Sequence, residues 1–231
     1  FLLPQMLVDA PGGHDVRVTQ ELLRHHIRHA RVEKIRGEQV PELVGRDHDL
    51  SDIQIVTDRC LGSTEEACRA FFKAQYGEDF PYETYAAECG NHFRRMIGEG
   101  RLLLKTGAAE LLAFLKSAGA GIALATSTDA ASAFAILEKL GVLHYFDVRM
   151  TGDKVEHSKP DPEIFLKAAA ELGVEPCEAM VVEDSHNGVR AGRAGGFYTV
   201  MVPDILSPTP EMEEKADLII GDLALLRTAC R

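Results

Sequence analysis

From Gly107 onward, short apolar runs alternate with longer stretches in which apolar residues recur at helical spacing. Such runs favour buried strands and the stretches between them favour helices. Strands are predicted at Gly121–Ala125, Tyr145–Met150, Ala179–Val182, Tyr198–Val202 and Asp217–Ile220. Helices are predicted at Ala108–Ala118, Asp129–Leu140, Asp161–Leu172 and Asn187–Ala194. This alternation is typical of βαβ units and predicts an α/β fold whose parallel sheet is covered on both faces.

The first hundred residues follow a different pattern. Met6–Val8 is a short apolar run of the kind expected for a buried strand, but residues 17–98 contain helical spacing and no convincing strand. We therefore predict an α/β core formed by residues 1–16 and 99–231, with an all-helical insertion at 17–98 after the first strand. Helical spacing within the insertion is clearest at Glu21–Ile27, Ala67–Tyr76 and Tyr85–Met96.

Composition narrows the classes of function. The 231 residues include 25 Lys and Arg against 36 Asp and Glu, a net charge of −11, and no Trp, which disfavours nucleic-acid binding. No apolar run approaches the roughly 18–20 residues that span a bilayer. The five cysteines form no CxxC pair and favour reduced thiols in a cytoplasmic protein. The acidic run Glu211–Glu214 is interpreted as a solvated surface turn.

Polar side chains follow the predicted strands at the points where those strands end. Ligands bind at the carboxyl ends of strands in open parallel sheets. Carboxylates there suit Mg²⁺, and a lysine and hydroxyls suit a phosphate group. Asp9, Thr126, Ser127, Glu183 and Asp184 follow strands, and Lys159 stands just before the helix predicted at Asp161–Leu172.

Three of these segments resemble motifs of the haloacid dehalogenase (HAD) superfamily. An apolar strand that ends in a hydroxyl residue matches Ile122–Thr126, and a lysine before Pro-x-Pro matches Lys159–Pro162. Glu-Asp-Ser followed by Asn-Gly matches Glu183–Gly188, which begins 24 residues after the lysine. Within the superfamily, the chain resembles phosphatases and phosphomutases with a small helical cap, such as β-phosphoglucomutase and pseudouridine-5'-phosphate phosphatase.

The resemblance implies a Rossmann-like three-layer core with the insertion as a cap domain, and it assigns catalytic roles. Asp9 would attack phosphorus and form an aspartyl-phosphate. Thr126 would hydrogen-bond the transferring phosphoryl group, and Lys159 would neutralise its charge. The implied substrate is a small phosphorylated metabolite, a sugar or nucleotide-like monoester, and the implied protein is a monomer or weak homo-oligomer.

The resemblance also implies ligands for Mg²⁺ and contacts for substrate. The metal ligands would be Asp9, the backbone carbonyl of Pro11, Glu183 and Asp184. The substrate contacts would be Ser127, Arg46 and His48, the last two in the cap's specificity loop.

One position departs from the family. The first motif is Asp-x-Asp-Gly, and here it is Asp9-Ala10-Pro11-Gly12, so Pro11 replaces the general acid/base. Proline cannot transfer a proton, and losing such a group typically costs about 10²–10⁴ in rate. Pro11 has three interpretations: a genuine change, an error in the sequence, or a first motif that lies elsewhere. The functional alternatives are therefore a phosphatase, a phosphomutase, or an impaired relative that binds phosphate.

Overall fold

The structure is a computed structural model that describes residues 6–8, 59–99, 104–204 and 206–229. The helices are α1 Glu65–Tyr76, α2 Tyr82–Gly98, α3 Ala108–Ser117, α4 Ala130–Lys139, α5 Glu163–Leu172, α6 His186–Ala194, α7 Pro210–Lys215 and α8 Leu223–Ala229. The strands are β1 Met6–Val8, β2 Ile122–Thr126, β3 Val148–Thr151, β4 Met180–Glu183, β5 Tyr198–Met201 and β6 Leu218–Ile219. None of the helices in these ranges is long and apolar enough to cross a membrane.

The described strands form one sheet in the order β3-β2-β1-β4-β5-β6. Strands β2 and β3 pair in parallel, as do β4 with β5 and β5 with β6. Helices cover both faces, because side chains alternate along each strand. Ile122 and Leu124 of β2 pack with α3 and α8 on one face, whereas Ala123 and Ala125 pack with α5 on the other. The predicted three-layer α/β class is confirmed.

Strand β1 differs from the other described strands in its direction. The apolar pattern predicts that β1 is parallel to its neighbours, but it is antiparallel to both β2 and β4. Three apolar residues between two buried strands can complete a backbone ladder in either direction, since nothing in so short a run fixes its polarity. The carboxyl end of β1, at Val8, therefore lies beside Ile122 and Met180, the first residues of β2 and β4.

Two elements at the C-terminal end were not predicted. The acidic run interpreted as a turn belongs to helix α7. Thr209 caps this helix, because its side chain accepts a hydrogen bond from the Met212 amide at 3.3 Å. Met212 is fully buried, so one side of this acidic helix packs against the core and is not solvated. Helix α8 is also new, and its Leu223 and Leu226 close the core over α3.

Helices α1 and α2 form a hairpin with an aromatic core of its own. Phe72 is the centre of this core and lies 4.9–5.8 Å, between ring centroids, from five neighbouring aromatic rings. These rings belong to Phe71, Tyr76, Phe80, Tyr82 and Tyr85. The helices predicted at Ala67–Tyr76 and Tyr85–Met96 are thus confirmed, while the cap as a separate domain over 17–98 remains a prediction.

We expect Phe72→Ala to lower the free energy of unfolding by about 3–5 kcal/mol, because it empties the centre of the aromatic core. Urea denaturation of the purified chain measures this loss. The matched control is Phe71→Ala, since Phe71 is only partly buried and touches the edge of the same core. Equal losses for the two variants would contradict the central place of Phe72.

Candidate functional site

The carboxyl ends of β2 and β4 form the edge of the sheet where chemistry was predicted. Met6 of β1 pairs with both Leu124 and Val182, so Thr126 and Glu183 extend beyond the same end of the sheet. The segment that links β3 to α5 brings Lys159 to this edge as well, because the Lys159 ammonium donates to Ala125 O at 3.2 Å. Predicted residues from three separate segments are therefore brought together.

Lys159 is the buried centre of the site. Its side chain and that of Glu183 are fully excluded from solvent, and Lys159 Nζ lies 2.7 Å from Glu183 Oε1. The ammonium also lies 4.5 Å from the centroid of the Phe165 ring, a favourable cation–π distance. Burial lowers the pKa of Lys159, and the neighbouring Glu183 carboxylate opposes that effect. The pair thus fixes a positive group at an edge that would otherwise collect negative charge.

The second oxygen of Glu183 organises the turn that follows β4. Glu183 Oε2 accepts hydrogen bonds from the Asp184 amide, the Ser185 amide and the Ser185 hydroxyl, each at 2.9 Å. Ser185 Oγ in turn accepts from the Gly188 amide at 3.0 Å and caps α6. Both carboxylate oxygens are therefore engaged, so Glu183 acts here on Lys159 and the turn. Its predicted role as a direct metal ligand remains a prediction.

Asp184 carries the carboxylate that is left for a ligand. It is only partly buried, and no hydrogen bond to its carboxylate is found in the described part of the chain. Burial, followed by the charges of Glu183 and Asp204, raises its pKa to about 7, and Lys105 opposes the rise. The surrounding negative charge and the burial therefore favour the protonated form of Asp184 more than in an exposed aspartate.

Lys105 and Asp204 form a second buried ion pair near this edge, which the sequence patterns did not single out. Lys105 Nζ lies 2.9 Å from Asp204 Oδ2, and the two side chains are 5% and 3% exposed. The other oxygen, Asp204 Oδ1, is buried and has no hydrogen-bond partner among the residues that the structure describes. No local motif marks either residue, because they meet only in the folded chain.

The hydroxyls after β2 are partly engaged. Thr126 Oγ1 accepts from the Thr128 amide at 3.2 Å, which leaves its proton available to a phosphate oxygen. Ser127 Oγ donates instead to Gly62 O at 2.7 Å, so its proton is already used. Asp129 caps α4 by accepting from the Ser132 amide at 2.9 Å. Thr126 is therefore the better donor to a substrate.

The turn before α1 meets the site, a contact that was also not predicted. Asn187 Nδ2 donates to Leu61 O at 3.2 Å, and it lies 3.3 Å from Ser63 Oγ and 3.4 Å from Arg59 O. Gly62 has a φ of +75°, and a Cβ there would lie 2.4 Å from Ser185 Oγ. Glycine suits this position because it has no Cβ, so it adopts the positive φ and permits the close approach to Ser185.

Four predicted site residues lie outside the described residues: Asp9, Pro11, Arg46 and His48. Their roles remain predictions. The structure does place the strand before Asp9, and its end at Val8 lies beside Ile122, four residues along β2 from Thr126. At the rise of a strand, four residues correspond to about 13 Å. In this arrangement the end of β1 is not at the edge that holds Lys159.

A divalent cation with oxygen ligands fits the chemistry of the described edge. Within the described part of the chain, the Asp184 carboxylate accepts no hydrogen bond that the structure shows, and Asp204 Oδ1 is buried without a partner. Among the described residues, however, no three His, Cys, Asp or Glu side chains lie together as a complete metal site. A cation here would therefore be held by Asp184 together with water or with groups outside the described ranges, as Mg²⁺ commonly is.

Comparisons with known proteins identify relatives of the chain. The sequence profile of the haloacid dehalogenase-like hydrolases matches residues 13–196. The protein CbbY of Cereibacter sphaeroides is 33% identical over 171 residues, which are 71% of this chain and 73% of CbbY. A phosphorylated carbohydrates phosphatase of Thermotoga maritima is 44% identical over 94 residues, 41% of this chain. The match spans 44% of that phosphatase, less than half its length.

A solved structure agrees with the fold. A mutant of CbbY from Rhodobacter sphaeroides, in complex with xylulose-(1,5)bisphosphate, superposes with a TM-score of 0.67 at 26% sequence identity. The match covers 88% of each chain.

We expect Gly188→Ala to disrupt the site, because the added Cβ would lie 1.8 Å from the carboxyl carbon of Glu183. The variant should lower the free energy of unfolding by about 1–3 kcal/mol. The matched control is Gly221→Ala, since a Cβ at Gly221 meets nothing within 4 Å. Thermal melts of both variants measure the difference. A melting temperature of Gly188→Ala equal to that of wild type would contradict the described packing.

Because of Glu163, we expect the stability of the loop before Lys159 to change with pH in the acid range. Its carboxylate accepts from the Glu156 and His157 amides, at 3.0 and 2.7 Å. Lys167 and then these amides lower the pKa of Glu163 from 4.5 to about 2. The stabilisation is therefore present above pH 4.5 and is lost as the pH falls towards 2.

We expect the stability difference between wild type and Glu163→Gln to shrink over that range. Urea denaturation at several pH values measures it, with Glu171→Gln, exposed on the same helix, as the control. A difference that stays constant from pH 5 to pH 2 would contradict the role of Glu163.

Proposed function

Because the chain belongs to the haloacid dehalogenase-like hydrolase family, we propose that it is a Mg²⁺-dependent phosphatase of small phosphorylated carbohydrates. The observation that carries the proposal is the buried ammonium of Lys159, held at 2.7 Å from Glu183 at the edge where Thr126 ends β2. A fixed ammonium and a hydroxyl donor in a water-poor site stabilise the charge that develops on a transferring phosphoryl group.

The proposed chemistry has two displacements at phosphorus. An Asp9 oxygen forms a bond to phosphorus while the bond to the sugar oxygen breaks, and the sugar oxygen takes up a proton. Water then attacks the same phosphorus and loses a proton to solvent or another base, while the bond between phosphorus and the Asp9 oxygen breaks. This step releases inorganic phosphate and restores the Asp9 carboxylate. Lys159 and Thr126 hold the phosphoryl oxygens in both steps. Pro11 cannot supply the proton, so solvent or another acid has to donate it.

Two features bear directly on Asp9 as the nucleophile. Asp9 lies outside the described residues, and β1 ends at the opposite edge from Lys159. Asp9 can act only if it reaches the edge formed by Thr126 and Glu183, as it would if β1 ran parallel to β2. A test of Asp9 is therefore also a test of where this part of the chain lies during catalysis.

Mg²⁺ is proposed to bind at Asp184, with Asp9 and the Pro11 carbonyl as further ligands. When bound, the cation would neutralise negative charge on the phosphate group and help to position it. Glu183 contributes indirectly, because it fixes Lys159 and the backbone of Asp184.

The substrate class is inferred from the relatives. One is named as a phosphatase of phosphorylated carbohydrates, and CbbY was solved with a sugar bisphosphate. Arg46, His48 and Ser127 are the proposed contacts to the sugar. Ser127 would accept rather than donate a hydrogen bond, since its hydroxyl already donates to Gly62 O.

A phosphate-binding protein without turnover is the second candidate. Pro11 removes the acid/base group, and the direction of β1 carries its end away from Lys159. The described half of the site, with Lys159, Thr126 and Asp184, would still bind phosphate. A phosphomutase has the same requirement for an acid at position 11.

We expect the chain to release inorganic phosphate from sugar phosphates, including xylulose-1,5-bisphosphate, in a Mg²⁺-dependent reaction. Lys159→Met should lower kcat/KM by about 10²–10³, because it removes one fixed donor to the phosphoryl group. Lys139→Met is the control, since Lys139 is exposed in the last turn of α4. Malachite-green detection of phosphate, with and without EDTA, measures the rates.

Two further variants separate the candidate functions. Asp9→Asn should abolish turnover if Asp9 is the nucleophile, and retained turnover would contradict that role. If wild type is inert but binds phosphate, and Pro11→Asp gains activity, the protein is a phosphate-binding relative. Turnover that is unchanged in Lys159→Met would overturn the proposed site.

A further inference from the structure

Two cysteines lie together beside the turn that meets the site. Cys60 directly precedes this turn, and Cys68 lies near the start of α1. The Cys68 thiol donates a hydrogen bond to Cys60 O, with Sγ and O 3.6 Å apart. The Cys68 backbone is held separately, because its amide donates to Thr64 O at 3.0 Å. The fold thus keeps the two cysteines in contact although they are eight positions apart in the sequence.

The surroundings of the pair favour a reaction between the two thiols. A hydrogen bond between them raises the pKa of Cys60, with burial adding to the rise, and lowers the pKa of Cys68. Both side chains are only partly buried, so a small oxidant can reach them. Thiolates are the form that oxidants attack, and a second thiol beside the first can complete a disulfide. Cys68 is therefore the thiol that reacts first, and Cys60 is its partner.

The turn at 61–63 connects this pair to the site. Leu61 O accepts a hydrogen bond from Asn187 Nδ2 at 3.2 Å, and Gly62 O accepts from Ser127 Oγ at 2.7 Å. A covalent bond between two sulfur atoms is shorter than a hydrogen bond between them, so Cys60 must move towards the helix to form one. The turn directly after Cys60 has to follow, and its hydrogen bonds to the edge of the sheet are then disturbed.

We propose that Cys60 and Cys68 are an oxidation site, at which hydrogen peroxide converts the two thiols into a disulfide and displaces the turn at 61–63. The Cys68 thiolate attacks one peroxide oxygen and the O–O bond breaks, which gives a sulfenic acid and hydroxide. The Cys60 thiol then attacks the Cys68 sulfur, and the S–O bond breaks to release water. The hydroxide takes up the proton that Cys68 lost on ionising. In total, two thiols lose two electrons and two protons, and one peroxide becomes two water molecules.

Peptide mapping tests the oxidation site without any measurement of turnover. Trypsin cleaves after Arg59 and Arg69, so both cysteines lie on the single peptide Cys60–Arg69. The full chain is treated with hydrogen peroxide, digested after the remaining thiols are blocked with N-ethylmaleimide, and analysed by mass spectrometry. We expect this peptide to lose two hydrogen atoms and both labels, and to regain both labels if dithiothreitol is added before the block. The exposed Cys177 should keep its label under the same treatment.

Serine variants identify the partners. In Cys60→Ser and in Cys68→Ser the remaining cysteine of the peptide cannot close this disulfide. The matched control is Cys177→Ser, which should oxidise at the pair as wild type does. A wild-type peptide that keeps both labels overturns the inference. A disulfide that joins Cys60 or Cys68 to any other cysteine overturns it as well.

The effect on turnover rests on the phosphatase function proposed above. We expect the disulfide to lower kcat/KM by about 10²-fold, because a displacement near 1 Å at a site can have that cost. Dithiothreitol should restore the rate, and Cys68→Ser should keep the basal rate and resist peroxide. A loss that persists in Cys68→Ser, or a fully formed disulfide with unchanged kcat/KM, overturns the link to the site. If the reduced wild type has no turnover, the proposed function fails, and the peptide map still decides the oxidation site.

Discussion

The arrangement of the site depends on the buried ion pair between Lys159 and Glu183. An unpaired charge in the interior would be too costly, so each side chain is tolerated only because the other is present. Their pairing then sets the rest of the edge. Glu183 uses its second oxygen to hold the turn after β4, and that turn fixes both Asp184 and the first residues of α6. Gly188 lacks a side chain because the Glu183 carboxylate occupies the space where one would be.

The sequence predicted the class of fold and the separate parts of the site. Apolar runs of four or five residues are specific enough to identify β2 and β4, and the residues after them follow from the rule for parallel sheets. The resemblance to the HAD superfamily picked out Lys159 and Glu183 individually. Their direct contact was not predicted, since the 24 intervening residues give no local sign of it.

The features that were missed have physical causes. A strand of three apolar residues carries no information about its direction, so the antiparallel β1 could not be read from Met6–Val8. The acidic residues of α7 hide the buried Met212, because one apolar position in a short helix gives no periodicity. Lys105 and Asp204 come into contact only in the folded chain, and no local sequence motif predicts an ion pair between residues so far apart in the sequence.

The central place of β1 also sets the order in which the protein can be assembled. Strand β1 lies between β2 and β4, and its two partners begin at Ile122 and Met180. During synthesis β1 leaves the ribosome before either partner exists. Among the described strands, β1 is the one that hydrogen-bonds to both halves of the sheet, β3-β2 and β4-β5-β6. The six-stranded sheet can therefore form only after most of the chain has been synthesised. Its contacts join residues far apart in the sequence, and such contacts slow folding.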